Sequence, residues 1–153
     1  MRNPALALAF TVALGTVMLA PSQTWAGEQD KAVKMVHDAI AHFQKAGKDK
    51  AFAEITNKKG RFHDGELYVF VYDMSGNVVA HGQDATLIGK NLLDTADAGG
   101  KYFVKERIAL VKEKGEGWQD YKFKNPVSGK IEDKTSFVKK HDTYIFGCGV
   151  YKK

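Results

Sequence analysis

The sequence holds one cysteine, Cys148, and three prolines in 153 residues. A lone cysteine forms no disulfide within the chain and excludes a cysteine-rich zinc site. There is no C-x-x-C-H for covalent haem attachment. No G-x-S-x-G elbow surrounds Ser75, and no Walker Lys-Ser/Thr follows Gly99 and Gly100. Repeats, linkers and low-complexity segments are absent. No apolar run reaches the about 20 residues that a membrane-spanning helix needs. The longest, Ala5 to Ala20, is shorter and contains Thr11 and Thr16.

That run belongs to a distinct N-terminal segment. Arg2 is its only charged side chain, Pro21 breaks it, and Thr24 and Ala26 place small residues before Gly27. This is the three-part plan of a secretory signal peptide, so residues 1–26 are expected to be cleaved and the mature protein to be periplasmic. An uncleaved anchor is the alternative, since Trp25 also suits a membrane interface. The remaining 27–153 are enough for one domain with its own core. A net charge of +5 invites a nucleic-acid reading. Acids interleave with the bases, however, as in Lys112 to Lys114 and Glu132 to Lys134, and no ribonucleoprotein motif is present. A dispersed basic surface and no nucleic-acid partner are expected.

Gly27–Ala46 reads as an amphipathic helix, with Val33, Val36, Ile40 and Phe43 at helical spacing. A short helix over 49–56 follows. Residues 66–73 alternate Leu67, Val69 and Val71 with Tyr68, Phe70 and Tyr72, a strand with two apolar faces. Gly76 and Asn77 turn the chain into a second strand over 78–81. A helix over 102–113 precedes strands over 118–124, 130–140 and 143–151. The pattern predicts an α+β domain: a long N-terminal helix packed on a roughly five-stranded antiparallel sheet.

Catalytic chemistry finds little footing. Cys148, between Gly147 and Gly149, reads as a small core residue. His37 and His42 sit five apart on different helix faces, and His63, His81 and His141 are scattered, so no metal site is expected. Asp94 and Asp97 read as loop residues. The chain is not expected to be an enzyme or to carry a cofactor. Aromatic faces with polar neighbours instead suggest a small-ligand pocket or a filled core. His81 ends one strand, and Lys134 and Ser136 share a face of another. An inward Lys134 needs an anionic partner, either a ligand or a nearby acid.

The stretch from Gly65 to His81 resembles the opening of a single Cache domain of the second type. Leu87 to Asp94 resembles the segment after it, and Gly117 to Gly129 the central hairpin. Lys134 to Val138 and Phe146 to Tyr151 resemble the last two strands. The resemblance runs in order over almost all of residues 27–153. It implies a PAS-like extracytoplasmic sensor of small organic ligands, often short carboxylates. The matching pocket would draw on Tyr68, Phe70, Tyr72, His81, Phe103, Trp118, Tyr121, Phe123, Lys134 and Ser136. It also implies homodimer pairing through the N-terminal helix. Family members usually continue into a membrane helix and an output domain, whereas this sequence stops at Lys153. The expectation is therefore a stand-alone module acting with a separate sensor kinase, chemoreceptor or transporter. The alternative is an accessory subunit that docks a protein on its sheet face.

Overall fold

A computed structural model describes residues 22–152. The expected signal peptide lies outside the described residues up to Pro21, and its last five positions form the start of the first helix. Helix α1 spans Ser22–Ala46 and α2 spans Lys48–Thr56. Strands β1 (His63–Asp64), β2 (Leu67–Asp73) and β3 (Val78–His81) follow. After a 3-10 turn at Ala85–Leu87 come α3 (Phe103–Lys114), β4 (Glu116–Lys124), β5 (Ile131–His141) and β6 (Tyr144–Tyr151).

The strands form one antiparallel sheet in the order β1-β2-β6-β5-β4, with β3 also paired to β2. The sheet has six strands where five are expected. The extra one is β1, two residues long, too short to leave a periodic signature.

Alternation along the strands builds two cores. Leu67, Val69, Val71, Phe137, Phe146, Cys148 and Val150 face α1, where Ala32, Val36, Ala39 and Ile40 meet them. Val36 and Ile40 are buried there, with Val33 and Phe43 packed against the same cluster. The four residues of the expected apolar stripe thus pack within the chain. Cys148 is free and buried in this layer, and burial pushes its thiol up to about 12, so it stays protonated. On the opposite face Tyr68, Phe70, Tyr72, Tyr121, Val138 and Ile145 meet Phe103, Val104, Ile108 and Val111 of α3.

The long connection from β3 to α3 is tied to the sheet by two side chains. The Asp97 carboxylate accepts from the backbone N–H of Gly99, Lys101 and Lys122. Because β4 is an edge strand, the bond to Lys122 also occupies an otherwise open strand group. The Asn91 amide donates to the Ser75 carbonyl and the Asn77 side chain. These bonds fix the segment that leads into α3.

Candidate functional site

The α3 side of the sheet carries the polar chemistry. Nine of the ten expected site residues lie on that face or at its edge; Trp118 does not. Along β4 the side chains alternate, so Gln119, Tyr121 and Phe123 face α3 while Trp118 points to the α1 layer. Trp118 is 39% exposed and packs on Phe137, their ring centroids 5.6 Å apart. The family motif alone points Trp118 to the pocket; strand parity puts it on the other face.

Lys134 is the centre of one end of the site. It is 1% exposed and projects from β5 over β6. Its Nζ donates to the Tyr68 hydroxyl at 2.8 Å and lies 4.0 Å from the centre of that ring. The rings of Tyr151, Phe123 and Phe70 stand at 4.7, 5.5 and 5.8 Å. No carboxylate pairs with it among the described residues. Burial, with a smaller push from Arg107, lowers its amine to about 7.

Two glycines make this placement possible. Ser136 is the cross-strand partner of Gly149, and Phe70 that of Gly147. A Cβ at Gly149 would collide with Ser136 Oγ and Lys134 Cε, and one at Gly147 with the Phe70 ring. Side chains from β2 and β5 therefore lie across β6 in space that any other residue would fill.

Arg107, which the sequence reading left unremarked, anchors the other end. It is 1% exposed, on the buried stripe of α3 with Phe103 and Val111. Its guanidinium lies over the rings of Phe70 (4.6 Å), Tyr72 (4.9 Å), Tyr121 (5.2 Å) and Phe103 (5.5 Å). Its Nε donates to Gln119 Oε1 at 3.1 Å, and Gln119 Nε2 donates to the Phe103 carbonyl at 2.6 Å. Gln119 thus fixes the guanidinium plane. Nη2 is buried without a hydrogen-bond partner, and no carboxylate pairs with Arg107 among the described residues. Phe103 stacks on Tyr121 at 5.2 Å, and the Tyr121 hydroxyl meets Ser136 Oγ at 3.0 Å. Burial raises the hydroxyls of Tyr72 and Tyr121, with Arg107 opposing the rise, so both remain neutral donors.

His81 closes the Lys134 end. Its Nδ1 accepts from the backbone N–H of Asp84 at 2.9 Å and of Gln83 at 3.3 Å, which leaves the proton on Nε2. Burial and the nearby Lys134 push its imidazole down to about 3, so the ring is neutral. A cleft of about 400 Å³ opens beside it, with Lys58, His81, Phe123, Lys124 and Asn125 in its walls. A larger cleft of about 510 Å³ lies at the start of α1, among Trp25, Asp120, Thr135 and Lys152. Its Asp120 is already paired with Lys152 at 2.7 Å. The cleft at His81 reaches toward Lys134 through its wall residue Phe123, whose ring stands 5.5 Å from Nζ, and it marks the candidate site. Among the described residues no cluster of His, Cys, Asp and Glu is arranged to hold a metal, and no helix is long and apolar enough to cross a membrane.

A helix-covered antiparallel sheet with an aromatic, cationic interior defines a PAS-like sensor-domain fold. The Cache family profile matches residues 28–152, and the chain belongs to that family. It is 34% identical over 122 residues to the sensor histidine kinase MctS of Rhizobium johnstonii, covering 78% of this chain and 26% of that protein. The chain thus spans about a quarter of that relative. Among solved structures it resembles a Cache chemosensory domain described for carboxylic acid recognition, with a TM-score of 0.72 and 24% identity over 88% of this chain and 99% of that one. It also resembles the periplasmic sensor domain of a chemotaxis protein, with a TM-score of 0.66 and 25% identity over 90% and 100% of the two chains.

Proposed function

We propose that this Cache domain captures a small organic anion, a short carboxylate, between β2, β5 and α3, and that it does so in the periplasm. The observation that carries the reading is the pair of buried cations, Arg107 and Lys134, neither of which forms an ion pair with an acid among the described residues. Burying an unpaired charge is costly, so such groups are retained where a ligand supplies the counter-ion. The Nη2 of Arg107 is one donor in need of an acceptor, and the guanidinium plane suits a carboxylate. Aromatic walls from Phe70, Tyr121, Phe123 and Phe103 suit a short carbon skeleton. The solved relative described for carboxylic acid recognition supports the same ligand class.

The composition of residues 1–26 and the periplasmic relative support the compartment. A membrane sensor kinase or chemoreceptor reads the bound state, as the signalling relatives suggest. Thermal melts of the purified domain with small carboxylates, and with their uncharged amides, test the reading. A true ligand at a hundredfold excess over Kd stabilises by about 2.7 kcal/mol, and its amide does not. Equal responses to acid and amide, or none to any acid, would refute it.

A further inference from the structure

We infer that the site holds 2-oxo acids covalently, as a reversible imine between their keto carbon and the Lys134 amine. This rests on the anion-binding reading and sharpens it to a chemical class of ligand. Lys134 is 1% exposed, with one polar partner and four aromatic rings around its Nζ. An amine that is desolvated and placed near a second cation gives up its proton readily and becomes a nucleophile. Burial and the proximity of Arg107 lower it to about 7, so much of it is the free amine at neutral pH.

Both cations border one ring. Arg107 lies 4.6 Å and Lys134 5.8 Å from the centre of Phe70. A 2-oxo acid has its carbonyl bonded directly to its carboxylate, so the two groups can be served by the two cations. The carboxylate takes the unpartnered Nη2 of Arg107. The keto carbon then faces Lys134. The Nζ lone pair adds to that carbon, forming the C–N bond, and the carbonyl oxygen becomes a hydroxyl. That hydroxyl departs as water, carrying both protons of the amine, and the C=N bond closes. The Tyr68 hydroxyl, 2.8 Å from Nζ, is placed to relay protons from nitrogen to the leaving oxygen. Nothing is oxidised or reduced, and attack of water in the reverse direction releases the acid unchanged.

The test incubates the full domain with pyruvate and sodium cyanoborohydride and maps the adduct by peptide mass spectrometry. The expected result is a reduced pyruvate adduct on Lys134, formed at pyruvate concentrations that leave the surface lysines unmodified. Acetate, which lacks the keto group, should compete it away. Lys134→Arg should abolish the adduct, and Tyr68→Phe should slow it severalfold while Lys134 remains the site. If Lys134 stays unmodified while pyruvate still raises the melting temperature, the imine is wrong and the anion site stands. If neither an adduct nor any carboxylate-induced shift appears, both readings fall.

Discussion

Replacing Lys134 by Met should stabilise the ligand-free domain at acid and neutral pH, and the gain should vanish as the pH rises. The unfolded chain keeps the lysine proton up to 10.5, whereas the folded chain gives it up at about 7. Between those values the unfolded state binds more protons, so lysine's contribution to stability improves with rising pH. Each pH unit is worth about 1.4 kcal/mol, which puts the cost of the charged, buried amine at about 5 kcal/mol below pH 7 and near zero at the upper limit. Met matches the stem in length and carries no charge. It forfeits the bond to the Tyr68 hydroxyl, a loss of about 1–3 kcal/mol. The Tyr151 hydroxyl, 3.4 Å from that of Tyr68, is only a distant substitute. The net expectation is a gain of about 2–4 kcal/mol at pH 6 and a small loss near pH 10. In a domain of this size the gain at pH 6 corresponds to a rise of roughly 5–15 °C in melting temperature. The other groups around Nζ and its neighbour Arg107, namely His81, Tyr68, Tyr72, Tyr121, Tyr151 and Cys148, are present in both proteins. Their titration largely cancels in the difference. Paired thermal and urea melts at pH 6, 8 and 10 read the effect directly. A variant that is less stable at pH 6, or a difference that ignores pH, would sink the claim that an unpaired charge is buried here. The same variant should lose its response to carboxylates.

Three further outcomes test the geometry. Gly149→Ala drives a methyl into Ser136 and Lys134; urea melts should show a loss of about 1–3 kcal/mol, and carboxylates should no longer stabilise the protein. Asp97→Ala removes the acceptor of three backbone N–H groups. It should cost about 1–3 kcal/mol and raise hydrogen exchange at residues 99–101 and 122 above the rest of β4. Trp118→Ala should cost about 1 kcal/mol and leave the carboxylate response intact, because the ring packs on Phe137 on the far side of the sheet.

Most of the architecture was legible because both periods in this chain are clean. Helix α1 shows its apolar stripe, and β2 presents aromatics on one side and aliphatics on the other, which is how the two cores divide. The ends of the long strands fall within two residues of the sequence reading, since Gly76, Gly129 and Asp142 adopt the positive φ that the turns require. What the sequence could not convey was β1, whose two residues have no period. Nor could it convey the ties from Asp97 and Asn91, which join segments far apart in the chain.

The site was half legible, and the missing half has a physical reason. Lys134 is visible because it sits at an inward position of a strand, where a charge is conspicuous. Arg107 hides in a helix rich in Lys and Glu, where one more cation looks like solvated surface. Counting positions removes the disguise: Phe103, Arg107 and Val111 recur every four residues, with Val104 and Ile108 beside them, so Arg107 occupies the apolar stripe. The same discipline removes Trp118, which is out of phase with Gln119, Tyr121 and Phe123. The glycines need one further step. Gly147 and Gly149 look like strand weakeners until the register sets them opposite Phe70 and Ser136, where their missing side chains let Phe70 and Lys134 lie across the sheet. A charge that destabilises the empty fold, two glycines that make room for it, and a second cation over the same ring form one arrangement. Each member weakens a plain core, and the proposed entry of an anion would account for them together.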